Sequence, residues 1–490
     1  MSWLRAENDW LTRLALERGL ALVYLIAFIN AVNQFKPLLG ERGLLPVPLY
    51  VRGVSFGEDP SLFIFFHTDR AFTIAAWAGV AISCLLLAGI AQRYTLTQML
   101  AWAVLWALYL SFVNVGQTFY AFGWESILLE AGFYAIFLGS RNTYVQTINL
   151  WMFRWLLFRV MFGAGLIKMR GDPCWRDLTC LDYHYETQPM PNPLSWFFFW
   201  APEWTHKGGV LFNHFSELIV PFGYFFPQPV ASIAGLITLL FQFSIFVTGN
   251  LSWLNFLAMI LALSAIDGRW IAKLLPVHPP PLDTPALAHR ILVIAVGVLV
   301  VYLSIQPVRN MISPDQIMNT VYNRWHLVGT YGAFGSITRP RYEVIVEGAA
   351  DRVITQSTEW REYEFKAKPG ATWRMPPQIA PYHLRIDWLM WFAAFSSYAQ
   401  HPWFVNLMAK LLEGDRAVLS LLRTNPFPDA PPHFIRARLF EYHFTTPEER
   451  ARTHQWWKRE YVQPYFPVVS LDNAGFRGIL EQQGWLASQP

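Results

Sequence analysis

The chain has 490 residues; 54% are hydrophobic, 17% aromatic and only 15% charged, where about 25% charged is usual for a soluble protein. This composition argues against intrinsic disorder, collagen-like repeats and nucleic-acid binding, and a net charge of +4 is too small to imply a polyanionic partner. Three cysteines exclude a disulfide-rich scaffold and a four-cysteine zinc site.

The shortage of charge is uneven. Residues 1–306 hold 35 of the 72 Asp, Glu, Lys and Arg, about 11%, and residues 307–490 hold 37, about 20%. The pattern predicts a multi-pass α-helical membrane protein: a transmembrane domain over 1–306 with an extramembrane loop at 168–212, then a water-exposed α+β domain over 307–490. The bilayer is therefore the first expected partner.

In chain order, nine transmembrane helices are expected. Glu7, Asp9 and Glu17 precede the first apolar run, Leu20–Phe35, and no small-residue cleavage site follows, so it reads as a retained helix rather than a signal peptide. Ala71–Ala91 and Leu96–Val115 are uncharged and long enough to cross the hydrocarbon core, which takes about 20 residues. Trp124–Leu138, Thr147–Ile167 and Asn213–Phe226 are weaker spans. Leu218–Ile266 runs 49 residues without Asp, Glu, Lys, Arg or His. As one helix it would be about 73 Å long, so it must fold back, near Pro227, Pro229 and Gly249-Asn250. That gives crossings at 230–248 and 251–266. The Pro-rich connector Pro276–Pro285 is stiff and leads into the last span, Ala288–Ile305. Four crossings separate the 168–212 loop from the C-terminal domain, so both lie on one side.

Charges inside spans should face the bundle interior and pair. Glu125 and Glu130 interrupt one helix, Arg154 and Arg159 another, and Glu217 a third. Cross-helix Arg–Glu pairing is the simplest arrangement, holding helices in register; a polar substrate cavity is the other reading. Lys168 ends the 147–167 span. It reads either as a lysine snorkelling to the interface or as a desolvated general base. Cys84, in an apolar span, reads as inert packing.

The segment after Lys168 is the densest in chemistry. It holds Asp172, Cys174, Trp175, Arg176, Asp177, Cys180, Asp182, Tyr183, His184 and Glu186. Cys174 and Cys180 are six apart, which permits a structural disulfide in an oxidising compartment, two free thiols, or redox chemistry. Asp182, His184 and Glu186 alternate and would share a face in an extended segment, as a loop anchor or for acid–base work. His184 lacks companions for a zinc site, so no metal is expected, and no nucleotide or other cofactor motif is present.

In the C-terminal domain, Arg341–Glu347, Trp360–Lys366 and Phe434–Thr445 alternate as strands. Tyr342, Val344 and Val346 share one face, and Arg361, Tyr363 and Phe365 another. Asp387–Arg423 reads as one or two helices, broken near His401-Pro402. Trp388, Trp391, Phe392 and Phe395 fall mainly on one helical face, as core or membrane-facing packing, or as a client-binding surface.

The 36 residues FRVMFGAGLIKMRGDPCWRDLTCLDYHYETQPMPNP at Phe158–Pro193 resemble the lipase maturation factor family. So do GWESILLEAGF at 123–133, TYGAFGSITRPRYEVIVEG at 330–348, IAPYHLRIDWLMWFAA at 379–394 and NPFPDAPPHFIRARLFEYHFT at 425–445. The resemblance implies a chaperone-like, non-enzymatic factor assisting folding and assembly of secreted proteins, lipases in animals, linked there to lumenal redox balance. It implies an endoplasmic reticulum membrane in a eukaryote and an inner membrane in a bacterium. The C-terminal domain would be lumenal or periplasmic, a setting that suits a Cys174–Cys180 disulfide. A fainter similarity joins Ala164-Gly-Leu-Ile-Lys168-Met to the membrane domain of the vitamin K-dependent gamma-carboxylases. There a lysine after an Ala-Gly pair is the catalytic base. Here Ile167 stands where those enzymes have the first of two lysines, so the carry-over reaches Lys168 only. An integral-membrane enzyme using Lys168 as base is the alternative.

Overall fold

The computed structural model describes residues 5–6, 8–274 and 277–486. Glu7 and Pro276, which figured in the expected N-terminal flank and connector, lie outside the described residues.

Among the described residues, six helices are long and apolar enough to cross a membrane: Trp10–Leu39, Asp69–Ala88, Thr95–Asn114, Thr147–Arg170, Val230–Thr248 and Leu287–Ile312. A 20-residue helix spans about 30 Å, which matches the hydrocarbon core. The chain is thus a multi-pass membrane protein. Local chemistry sets the helix ends. Thr68 caps the second helix by accepting from the Ala71 N–H, and Gly89 ends it in the left-handed region at φ +79°, where a side chain is strained.

The expected count of nine is not reproduced, because three expected spans form short or broken helices. Trp124–Leu138 becomes the 13-residue helix Gly123–Ala135, almost wholly buried among its neighbours. Asn213–Phe226 is the tail of the helix Glu203–His214, followed by a π turn, Phe215–Ile219, and a 3-10 turn, Val220–Phe225. Pro221 has no N–H to continue an α-helical ladder there. The stretch 251–266 reduces to Leu254–Ala262 plus a 3-10 turn, Leu263–Ala265. Cys84, expected in packing, is exposed on the outer surface of its helix. The connector from 277 onward has no regular structure, but Asp283 pins it to the bundle through its N–H, which donates to the Asn142 carbonyl at 2.8 Å.

The C-terminal half is α+β. Its antiparallel sheet runs Arg361–Glu362, Arg341–Ala349, Phe434–Phe444, Trp457–Val469, with Arg341 opposite Tyr442 and Ala349 opposite Phe434. Strand Arg341–Ala349 is buried on both faces, so Val344, Ile345 and Val346 are all core. Trp360–Lys366, expected as one strand, splits into Arg361–Glu362 and Glu364–Phe365, which join different sheets. Trp457–Val469 was not expected. It is an edge strand carrying Pro464 and Pro467, with register shifts against its neighbour, so its alternation is broken. Helices Arg385–Ala393 and Pro402–Leu412 flank the expected break at His401-Pro402.

Candidate functional site

Lys168, at the end of a membrane helix, does not snorkel. Its side chain is buried, and Nζ donates to Glu217 Oε1 at 2.7 Å, Glu217 Oε2 at 2.8 Å and Asn213 Oδ1 at 2.8 Å. Asn213 Nδ2 in turn donates to Glu217 Oε2 at 3.1 Å. Glu217 sits in the π turn, an irregularity frequent at functional sites. The turn brings Glu217 and Asn213, four residues apart, onto one lysine. Trp175 lies beneath the ammonium, 4.9 Å from Nζ to the ring centre.

The other intramembrane charges divide. Arg159 pairs with Glu130 as a cross-helix Arg–Glu pair, and Tyr134 and Tyr331 also donate to Glu130. Arg154 is held by backbone carbonyls instead. Its Nε donates to the Ser264 carbonyl at 2.8 Å and its Nη1 to the Tyr224 carbonyl at 3.1 Å, both freed where helices end in 3-10 turns. Glu125 pairs instead with Arg385 of the C-terminal half, at 2.8 Å. Tyr331 and Arg385 were not singled out from sequence. Both lie inside stretches that carry the family resemblance, which was the available signal.

The loop is tied down at many points. Asp172 caps Pro173–Arg176, accepting from Cys174 N at 3.0 Å, and takes both Nη groups of Arg339 at 2.8 and 2.9 Å. The Arg339 hydrogen bonds hold its carboxyl well below the usual range. Trp175 Nε1 donates to the Phe334 carbonyl at 2.8 Å, Arg176 Nη1 donates to the Met169 carbonyl at 2.9 Å, and Asp177 is exposed. The Arg339 guanidinium lies 4.7 Å over the Tyr183 ring. Cys174 and Cys180 are buried with Cα atoms 4.8 Å apart and sulfurs within bonding reach.

His184 does not share a face with Asp182 and Glu186. The segment is the helix Leu181–Thr187, where a spacing of two turns side chains about 200° apart. Asp182 meets His206 at 2.7 Å. Glu186 accepts from the Phe444 N–H at 2.7 Å and lies beside His443, whose pKa it raises by hydrogen bonding. His184 packs edge-on to Phe334, and burial, aided by Lys168, lowers its pKa to about 4. The three side chains thus meet different partners and do not converge on one point.

Bundle, loop and C-terminal half together line a cavity of about 780 Å³. Val160, Ala164 and Lys168 of one membrane helix form one wall, His184 of the loop another, and Trp388 and Phe392 of the C-terminal half a third. The expected aromatic run is therefore divided. Trp388 is buried against Trp124 of the bundle, 4.9 Å between ring centres, while Phe392 and Phe395 are each 42% exposed.

A second group of contacts fixes the C-terminal half. Buried Arg341 pairs with Glu343 at 2.6 Å and donates to the Glu186, Gln188 and Pro189 carbonyls of the loop. Asn250, between two membrane segments, accepts from Ile379 N at 2.7 Å and Ala380 N at 2.9 Å.

The sequence model described as the lipase maturation factor transmembrane domain matches residues 11–273, and that of the lipase maturation factor C-terminal domain matches 327–467. Lipase maturation factor 1 of Mus musculus is 42% identical over 527 aligned residues, covering 99% of this chain and 92% of that protein. The Homo sapiens protein of that name is 42% identical, covering 98% and 91%. Lipase maturation factor 2 of Xenopus laevis is 30% identical, covering 97% and 84%. No solved structure matches the chain. With both halves matched and near-complete coverage of relatives, this chain belongs to the lipase maturation factor family.

Proposed function

We propose that the chain is a membrane-embedded maturation factor that assists folding and assembly of secreted proteins, with lipases as clients. The observation that carries this reading is the 42% identity, over nearly the whole of both chains, to proteins named lipase maturation factor 1. Residues 1–306 anchor the protein, and the 168–212 loop and the 307–490 domain engage the client. Counting the three short segments as crossings gives nine passes, which sets the N-terminus opposite the loop and C-terminal domain. These face the endoplasmic reticulum lumen in a eukaryote, or the periplasm in a bacterium, where Cys174 and Cys180 form a structural disulfide.

Contact with a client needs exposed apolar surface. The loop supplies it at Phe197, Trp200 and Trp204, the last 74% exposed. Trp196 and Trp200 hold this segment to the C-terminal sheet by donating to the Thr445 carbonyl at 2.8 and 3.0 Å.

The enzymatic alternative is not favoured. Lys168 does line the cavity, but its amine donates three hydrogen bonds to carboxylate and amide oxygens, the arrangement of a held ammonium rather than a base. The test is re-expression in cells lacking the chain. Recovery of activity per mass of secreted lipase supports the reading; activity per mass unaffected by removing or restoring the chain overturns it.

A further inference from the structure

The cavity joins three parts of the chain, and its wall has an unusual charge balance. Among its lining residues the groups ionisable near neutral pH are Lys168, Glu217 and His184. Lys168 and Glu217 cancel one another in a buried pair. His184, desolvated, is neutral above about pH 4. The wall is therefore polar at one end yet carries no net charge.

The rest of the wall is largely apolar, and its polar residues Gln242 and Asn255 hydrogen-bond to one another, Asn255 Nδ2 donating to Gln242 Oε1 at 2.7 Å. Val160, Met161 and Ala164 lie one to two turns deeper along the Lys168 helix, and Phe212, Phe241 and Leu254 close the far side. A volume of about 780 Å³ falls within the range of about 300–1,000 Å³ typical of small-molecule sites. The partition toward the surrounding lipid is thin. Phe212 and Phe241 line the cavity and pack edge to face at 5.6 Å, while Leu211, Leu240 and Phe243 beside them point outward and are exposed. One layer of side chains, between helices Glu203–His214 and Val230–Thr248, thus separates cavity from bilayer.

We propose that this cavity binds an uncharged membrane lipid of the diacylglycerol class, with its hydroxyl and ester head at the Lys168–Glu217–Asn213 end and its acyl chain along Ala164, Val160 and Leu254. An anionic lipid head would meet no unpaired cation, so its burial would go uncompensated. An uncharged head loses far less on entering and finds hydrogen-bonding groups beside Lys168, at Glu217 and Asn213. The bilayer that surrounds the helices is its reservoir.

The test uses the full-length protein in native membrane vesicles with two photoactivatable probes, a diazirine-bearing diacylglycerol and a diazirine-bearing fatty acid. Labelling by the diacylglycerol probe is expected on 160–168, 212–217 or 388–392. Ala333→Trp, which fills the cavity from its C-terminal wall, should cut that labelling about tenfold; Ala164→Phe is the second variant should the first misfold. Glu217→Gln leaves Lys168 unpaired, so the ratio of fatty-acid to diacylglycerol labelling should rise about tenfold. Three results overturn the proposal. They are labelling confined to outward helix faces, labelling equal in the wild type and a folded cavity-filling variant, and wild-type labelling by the fatty acid as strong as by diacylglycerol.

Discussion

Arg385, in the C-terminal half, donates through Nη1 to Glu125 of the membrane bundle at 2.8 Å, and neither side chain has any exposed surface. The same guanidinium lies 3.4 Å over the Tyr120 ring and bonds the Phe119 carbonyl. A single arginine thus joins two halves that composition separates. Removing one partner strands a buried charge. Arg385→Ala should destabilise the protein by about 3–5 kcal/mol. Arg385→Met combined with Glu125→Gln should recover most of that loss. Thermal unfolding of the detergent-purified protein checks both.

Asp172 caps one short helix and fixes Arg339 at the same time. Asp172→Ala should cost about 1–2 kcal/mol from the cap alone, with a further loss from the Arg339 contacts. Asp172→Asn keeps the cap and should cost less. Limited proteolysis reads this locally, as faster cleavage within 171–202 in the alanine variant than in the asparagine variant.

Replacing Cys174 and Cys180 by serine opens a loop of six-residue separation. The expected cost is about 2 kcal/mol on the chain-entropy account of such short loops. Mass spectrometry of unreduced peptides should recover the two cysteines joined in nearly every molecule. A mixed population of thiols and disulfide would instead point to redox work.

His184 gives a pH dependence whose sign follows from its environment. Burial lowers its folded pKa to about 4 from the ordinary 6.5, so the unfolded chain binds the proton first as pH falls. Its contribution to stability is complete above about pH 6.5, declines between there and about pH 4, and is constant below. His443 works in the opposite sense. Its pKa is raised by Glu186, so its contribution is present below 6.5 and fades as pH rises through the elevated value. Unfolding midpoints between pH 7 and 5 should fall less in His184→Gln than in the wild type, and more in His443→Gln.

Much of this was legible in sequence where the signal is local. Apolar runs marked the six long helices, and scarce charges at Glu125, Glu130, Arg154, Arg159, Lys168 and Glu217 marked where helices meet. Partners were not legible, because pairing Glu125 with Arg385 spans 260 positions and no periodicity encodes that register. Asp182, His184 and Glu186 misled because an alternating pattern has meaning only in an extended chain, and the segment is helical. A polar cavity is one reading of the intramembrane charges, but its extent is not legible for a related reason. Bundle, loop and C-terminal half all contribute to its wall, and the residues that line it beside Lys168, His184 and Glu217 read alone mostly as apolar packing.

The proposed function has the loop and C-terminal half meeting a secreted client during its maturation. It is tested most directly by placing a photocrosslinking residue at Trp204 or Phe395, both exposed, in the intact protein in native membranes. Mass spectrometry should then find crosslinks to newly synthesised secreted lipase, and fewer to the mature, assembled form. Absence of any secreted protein among the crosslinks, while the same probe captures only lipids or neighbouring membrane proteins, would contradict the account.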